Sequence, residues 1–121
     1  MLPLAVLLLG TASACYSVAS PQGWADPVFD GNTVYYTRNP GKLEAYDRSA
    51  QRQLWEFPTS QMKNVKLEGI YSTPVIDGQI LYTAAYNGSV YALDRTSGQP
   101  HWAFPTGSPI IGGILLKDGV L

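Results

Sequence analysis

Charged side chains are scarce in this chain of 121 residues: only 14% are Asp, Glu, Lys or Arg, and the formal net charge is -1. Proteins that bind nucleic acid usually present a clearly basic face, because lysine and arginine neutralise phosphates. The first charged residue along the chain is Asp26, so the sequence also has no basic N-terminal arm. These absences argue against nucleic acid as a partner.

Cysteine and histidine are almost absent too, since the chain has one of each, Cys15 and His101. A single cysteine cannot form a disulfide within the chain, and no spacing of Cys and His typical of a metal site occurs. His101 stands beside Trp102 in a predicted strand, where we interpret it as a surface residue. We therefore predict no catalytic, cofactor-binding or metal-binding residue here.

A long hydrophobic run is also missing. Residues 1–14 form an apolar run that closes on small residues, but they are fewer than the roughly 20 residues that span a bilayer as a helix, and their length is typical of a signal peptide. The stretch Ala12-Ser13-Ala14-Cys15 resembles a bacterial lipobox, which predicts a lipoprotein signal peptide at 1–14, lipid on Cys15 and a linker at 15–23. Two departures favour the alternative of plain secretion: Ala12 replaces the usual Leu, and no Lys or Arg precedes the run. Both alternatives predict export.

Turn-forming and aromatic residues are plentiful instead, with 12 Gly, 9 Pro, 8 Tyr and 3 Trp, which suits a β-rich globular protein. The chain also repeats itself: a shift of 47 residues places 27–59 on 74–106 without a gap, and 13 of these 33 positions are identical. The identical pairs are Pro27/Pro74, Val28/Val75, Asp30/Asp77, Gly31/Gly78, Tyr35/Tyr82, Gly41/Gly88, Ala45/Ala92, Asp47/Asp94, Arg48/Arg95, Trp55/Trp102, Phe57/Phe104, Pro58/Pro105 and Thr59/Thr106. Such a repeat indicates stacked similar units.

Each unit predicts four short strands, placed in the second repeat at 74–76, 81–85, 89–94 and 101–104. Asn87-Gly88 predicts a hairpin with a type I′ turn, because both central residues of that turn need positive φ. No segment from residue 20 onward shows the 3.6-residue period of a capped helix. Four antiparallel strands per unit of about 40–50 residues predict an all-β fold built from β-propeller blades. A generic β-sandwich is the alternative.

The predicted organisation is a partial propeller over residues 24–121, with one blade at 27–59 and another at 74–106. A third blade is expected to start at 109–121, because residues 117–121 resume the Asp-Gly-apolar pattern of 77–81. The first expected partners are therefore downstream blades of the same chain, and an oligomer of a short protein is the alternative. A two-blade piece leaves apolar faces uncovered, so we expect the isolated chain to be marginally folded or to aggregate.

The segment PVIDGQILYTAAYNGSVYALDRTSGQPHWAFPTG resembles the repeat of pyrroloquinoline-quinone-type (PQQ-like) propellers. That family has a tryptophan-docking motif, Ala-x-Asp-x-x-x-Gly-x-x-x-Trp, and typically seven or eight blades. The resemblance implies that the Ala makes room for the Trp of an adjoining blade, that the Asp accepts hydrogen bonds from the next turn, and that the Trp joins blades. The matching residues are Ala45, Asp47 and Trp55 in the first repeat and Ala92, Asp94, Gly98 and Trp102 in the second.

The first repeat departs from this motif at one position, where Gln51 stands in place of the glycine. Because glutamine tolerates positive φ poorly, we expect a looser or reshaped turn in the first blade.

The remaining polar candidates have local explanations. The carboxylates that stand in Asp-Gly turns are explained by backbone hydrogen bonding there; they are Asp30, Asp77 and Asp118. Lys63, Lys66 and Glu68 fall in a linker of the kind that lines propeller rims, where we expect a solvated loop or, alternatively, part of a ligand site. Gly112-Gly113 is expected to ease packing at the start of the third blade.

The resemblance leaves two main function classes. One is a non-catalytic scaffold or protein-binding module of the cell envelope, as in the lipoprotein of the outer-membrane β-barrel assembly machinery; its partners would be other envelope proteins and, through Cys15, the membrane. The other is a quinoprotein dehydrogenase that holds PQQ and Ca²⁺ on the propeller axis, with catalytic residues beyond residue 121. A polysaccharide- or signal-sensing domain is a third alternative. We favour the scaffold, with no cofactor in this stretch.

Overall fold

Short strands joined by tight turns account for nearly all regular structure in the chain. The structure is a computed structural model that describes residues 23–38, 41–117 and 120–121. The predicted signal peptide, Cys15 and almost all of the predicted linker at 15–23 lie outside the described residues, as does Asp118. No helix occurs in the described ranges, and accordingly none there is long and apolar enough to cross a membrane.

The eight strands form two four-stranded antiparallel sheets, and each sheet follows chain order. We call the first sheet blade one and the second blade two. Blade one contains β1 (Val28–Asp30), β2 (Thr33–Arg38), β3 (Lys42–Asp47) and β4 (Arg52–Phe57). Blade two contains β5 (Val75–Asp77), β6 (Ile80–Ala84), β7 (Ser89–Asp94) and β8 (Pro100–Pro105). The predicted all-β architecture of four-stranded antiparallel units is confirmed.

Glycines set the first hairpin of each blade. β1 and β2 pair up to Asp30 opposite Thr33, which leaves a two-residue loop whose first residue, Gly31, has φ +59°. Gly78 occupies the same place between β5 and β6 with the same φ. Positive φ at the first loop position alone is the pattern of a type II′ turn, which fits the right-handed twist of paired strands.

The hairpin predicted at Asn87-Gly88 is present, but the type I′ turn is wrong. Gly88 has φ +91°, whereas the only non-glycine residues with positive φ in the described ranges are Gln51 and Glu68. The backbone of Gly88 donates to Ala85, and Ala85 donates to Ser89, which closes a wider loop. The Asn87 side chain instead accepts from Ser89 N at 3.0 Å and donates to the backbone carbonyl of Lys66 at 2.8 Å. Side-chain hydrogen bonding, and not a left-handed backbone, is the reason asparagine suits this position.

The hydrophobic core lies between the two blades. Its buried members come from one face of blade one, from the segment 58–74 that connects the blades, and from the facing side of blade two. They are Tyr35, Leu43, Ala45, Trp55, Phe57, Leu67, Ile70, Leu81, Ala85, Tyr91 and Leu93. Phe57 and Tyr91 meet across the interface edge to face, with ring centroids 5.1 Å apart. Neither sheet buries its own residues alone, so the fold of each blade depends on the other.

After β8 the described residues form no further named strand. Lys117 and Val120 form an isolated antiparallel bridge with two backbone hydrogen bonds of 2.9 Å. This bridge lies in the segment 109–121, where the sequence predicts the start of a third blade.

Candidate functional site

An aspartate organises the turn between the third and fourth strand in both blades, at residues 48–51 of blade one and 95–99 of blade two. Asp47 Oδ1 accepts from the backbone N–H and the hydroxyl of Ser49, both at 2.9 Å, and from Ala50 N at 3.1 Å. Asp94 Oδ1 accepts in the same way from Thr96 N at 2.9 Å and from Thr96 Oγ1 at 2.6 Å. The Ala50 hydrogen bond is the main cause that lowers the pKa of Asp47, and the Thr96 hydroxyl is the main cause for Asp94.

The fifth position of this turn has a left-handed backbone in both blades. Gly98 has φ +74° and Gln51 has φ +54°. At Gln51, where the sequence predicts a looser or reshaped turn, the aspartate hydrogen bonds are kept and the glutamine adopts the unfavourable conformation, while β4 begins one repeat position earlier than β8. For a residue with a side chain this conformation costs about 1–2 kcal/mol.

Trp55 joins blade one to this turn of blade two, and we call the contact the joint. Its indole N–H donates to the backbone carbonyl of Arg95 at 2.9 Å. Its ring lies against Gly98, where an added Cβ would come within 2.5 Å of Trp55 Cδ2. The side chain is only 8% exposed. Gly98 thus serves two purposes, since it permits the left-handed turn and leaves room for the indole.

Ala45 has a different position from the one that the motif implies. It pairs with Trp55 across β3 and β4 of the same blade, and both side chains are buried in the core. Ala92 and Trp102 pair identically in blade two. The residue that makes room for the tryptophan of an adjoining blade is the glycine.

An ion pair adds a second connection at the joint. The Arg95 guanidinium contacts the Asp30 carboxylate of blade one. In blade one the corresponding Arg48 instead donates to the Gly31 carbonyl at 2.6 Å and lies 5.3 Å from the centre of the Phe29 ring. Arg95 therefore contributes both its backbone carbonyl and its side chain to the joint. The sequence repeat shows only that Arg48 and Arg95 are identical, so it could not predict that the Arg95 carbonyl accepts the indole N–H.

The far side of blade two repeats the tryptophan-bearing side of blade one but is uncovered; we call it the open face. Trp102 is 43% exposed and Phe104 is 62% exposed, whereas the equivalent Phe57 is 1% exposed. With Val90, Ile110 and Ile114 these side chains line a groove of about 660 Å³. A contiguous apolar surface of this kind marks an interaction site.

The far side of blade one, which we call its outer face, is charged. Arg38 Nε lies 2.7 Å from Glu44 Oε2, and Gln53 donates to Glu44 Oε1 at 2.5 Å. Lys42 and Arg38 also approach Glu56, at 3.6 and 3.5 Å. Hydrogen bonding to Glu44 raises the pKa of Arg38, and burial followed by the Glu44 carboxylate raises the pKa of Tyr36. This network was not predicted from the sequence. Its residues differ from those 47 positions later in the second repeat, which is a signal that could have drawn attention to them.

The other polar candidates do not converge on a reaction centre. His101 lies in the bulge where β7 and β8 shift register, with Nε2 4.0 Å from Asp94 Oδ2. Lys63, Lys66 and Glu68 line a groove of about 400 Å³ beside β3, and Glu68 has φ +65°. Gly112 accepts a hydrogen bond from the Ser72 hydroxyl through its carbonyl. In the part of the chain that the structure describes, no three residues among His, Cys, Asp and Glu gather as a metal site would require.

Comparison with known proteins gives a family. The sequence profile of the family described as "Outer membrane protein assembly factor BamB" matches residues 17–121. No curated protein sequence matches significantly.

Solved structures of similar fold include BamB and dehydrogenases. BamB from Moraxella catarrhalis is 21% identical with a TM-score of 0.54, over 73% of this chain and 25% of that one. A europium-containing methanol dehydrogenase is 19% identical with a TM-score of 0.63, over 84% of this chain and 20% of that one. The quinohemoprotein alcohol dehydrogenase from Comamonas testosteroni is 19% identical with a TM-score of 0.57, over 72% of this chain and 14% of that one. At these identities the likeness shows the fold, and the chain spans a quarter or less of each relative.

Proposed function

Because the chain belongs to the family described as outer membrane protein assembly factor BamB, we propose that it is part of a non-catalytic propeller that binds other proteins of the bacterial cell envelope. The observation that carries this proposal is the family match over residues 17–121, nearly all of the chain after the predicted signal peptide. The sequence repeat agrees with it, since the residues that recur in both blades serve the turn and the joint. Asp94 holds a turn and Trp55 packs between blades, which are structural tasks.

The location that follows from this proposal is the cell envelope. We propose that the chain is exported and that Cys15 carries the lipid anchor, on the strength of the lipobox-like stretch in the sequence. Growth with labelled palmitate tests the anchor: the wild-type protein takes up label, and Cys15→Ser does not. An unlabelled wild-type protein, or label retained in Cys15→Ser, would reject it.

The dehydrogenase alternative requires a PQQ and Ca²⁺ site. Calcium takes about six to eight oxygen ligands, most of them carboxylates and carbonyls. The described residues bring no three acidic, histidine or cysteine side chains together, so they do not fit a calcium site of that kind. No catalytic step through either group can be derived from these residues.

A deletion strain of the source bacterium tests the scaffold against the enzyme. Without the gene, we expect less folded outer-membrane β-barrel protein, measured as the heat-modifiable fraction on gels, and recovery when the wild-type gene is returned. Normal levels of folded barrel protein, combined with a loss of PQQ-dependent alcohol oxidation, would overturn the scaffold and support the enzyme. A Trp55→Ala gene serves as the matched variant, because it disrupts the joint between blades and should not restore barrel folding.

A further inference from the structure

The joint shows what a tryptophan-bearing blade face needs from its neighbour. Trp55 lies against Gly98, and a Cβ at that position would be 2.5 Å from Cδ2 of the indole. Real Cβ contacts are essentially never so short, so any residue but glycine would push the tryptophan away. The neighbour must also offer the carbonyl that accepts the indole N–H, as Arg95 does. The joint therefore requires a left-handed glycine at the fifth position of an aspartate turn.

The open face of blade two carries the other half of such a joint. Trp102 stands 47 residues after Trp55 and pairs with Ala92 in the same register. Its exposed fraction is 43%, against 8% for Trp55. The groove beside it is lined mostly by apolar side chains, so an incoming blade would bury it as blade two buries the corresponding side of blade one.

The outer face of blade one lacks the glycine. Gln51 occupies the position of Gly98, and its turn has the same aspartate hydrogen bonds and a left-handed φ of +54°. Because the backbone is left-handed at both positions, we expect the Cβ of Gln51 to lie where an approaching indole would collide.

Charge on the outer face acts against the same contact. A shift of 47 residues places Arg38 on Ala85 and Glu44 on Tyr91, and in blade two both of those positions are buried in the core between the blades. Glu44 is already 5% exposed and ion-paired. Covering the Arg38–Glu44 pair with an apolar blade would remove the remaining hydration of the guanidinium, and desolvating a charge is unfavourable.

We propose that Gln51, Arg38 and Glu44 prevent the outer face of blade one from packing on the open face of blade two of another copy. The open face takes a blade whose aspartate turn carries a left-handed glycine, and the outer face of blade one stops a second copy of this chain from filling that role. Gln51, Arg38 and Glu44 act as the stop. This selection among blades does not depend on the proposed function in the envelope, and it argues against head-to-tail rings of the two-blade unit.

Cross-linking between two samples of the chain tests the stop. The Asp30–Arg95 ion pair spans the joint, so in a head-to-tail stack Asp77 of one copy would meet Arg48 of the next. One sample carries Cys15→Ser with Asp77→Cys, and the other carries Cys15→Ser with Arg48→Cys. The samples are mixed with a short bis-maleimide cross-linker. Mixed dimers report stacking, whereas dimers within one sample report unspecific association.

We expect mixed dimers to stay at the level of same-sample dimers while the outer face is native. Adding Arg38→Ala, Glu44→Tyr and Gln51→Gly to the Arg48→Cys sample gives blade one the residues of blade two, and should raise mixed dimers at least about tenfold, equivalent to 1.4 kcal/mol. Trp102→Ala in the Asp77→Cys sample should cancel that gain.

Three results would overturn the proposal. Mixed dimers well above same-sample dimers with the native outer face would show that a second copy does occupy the open face. No gain with the folded triple variant, checked by circular dichroism, would show that these residues are not the stop. If the triple variant does not fold, Gln51→Gly combined with Arg38→Gln and Glu44→Gln decides, since it removes the Cβ and both charges with smaller changes in side-chain shape; a mixed-dimer yield unchanged by this folded variant rejects the proposal.

Discussion

At the scale of single residues, one turn position decides how blades meet. Gln51 and Gly98 have the same left-handed backbone, but only the glycine leaves space for an indole. The aspartate hydrogen bonds are alike in both turns, so at the fifth position of the turn the blades differ in the side chain and not in the handedness of the backbone. Gln51, which departs from the glycine of the motif, therefore limits which side chains can pack against this turn.

Gln51→Gly should stabilise the chain by about 1 kcal/mol, because glycine adopts positive φ without the steric cost that a Cβ brings. The measurement is the free energy of unfolding in urea, in dilute solution. Gln51→Ala is the matched control, since it retains a Cβ and should leave the stability near that of the wild type. A glycine variant no more stable than the alanine variant would show that the left-handed conformation costs nothing here.

At the scale of strands and turns, the sequence predicted the positions of the strands well, but it did not predict the side-chain contacts between distant residues. The strand expected at 89–94 is β7, Ser89–Asp94, because alternating apolar residues and flanking turn residues are local signals. The type of the Asn87 turn was wrong, since it depends on a partner, the Lys66 carbonyl, that lies 21 residues away. Arg38 and Glu44 stand on opposite strands of a hairpin, so their ion pair depends on register. The one sequence signal for this ion pair is that Arg38 and Glu44 differ from the residues 47 positions later, Ala85 and Tyr91.

The aspartate turns make stability depend on pH. Hydrogen bonds in the folded chain lower the pKa of Asp47 and Asp94 below the usual 3.8. A lowered pKa means that the folded state favours the carboxylate, so the stabilisation is present above about pH 4 and is lost as the pH falls through the folded pKa.

We therefore expect the urea midpoint of the wild type to fall on acidification from pH 5 to pH 3 more steeply than that of Asp47→Asn/Asp94→Asn. The asparagine still offers an oxygen to the turn, but it does not titrate. Parallel curves for the double variant and the wild type would contradict the role of the two carboxylates.

At the scale of the whole molecule, the chain has one covered tryptophan face and one uncovered. The core lies between the blades, and the open face exposes the same kinds of side chain that the core buries. The repeat thus supplies pairs of identical residues of which one is buried between the blades and the other is exposed on the open face.

Phe57 and Phe104 are such a pair. Phe104→Lys should reduce aggregation and binding of a hydrophobic dye while leaving the unfolding free energy within about 0.5 kcal/mol of the wild type, because exposed positions tolerate substitution. Phe57→Lys should unfold the chain, since it buries an unpaired charge. Sedimentation velocity and dye fluorescence give the measurement. Equal loss of stability in both variants would mean that Phe104 is covered in solution, as would a sharp, concentration-independent unfolding transition of the wild-type monomer.

The most direct test of the joint is a double-mutant cycle between Trp55 and Gly98, measured as urea unfolding free energies in the more soluble Phe104→Lys chain. Gly98→Ala alone should cost about 3 kcal/mol, combining left-handed strain with a collision against the indole. With Trp55→Leu present, its cost should fall to about 1 kcal/mol, the value expected for Gly78→Ala, where a Cβ meets nothing within 4 Å. A cost of Gly98→Ala that is the same, within about 0.5 kcal/mol, with and without Trp55 would contradict the joint.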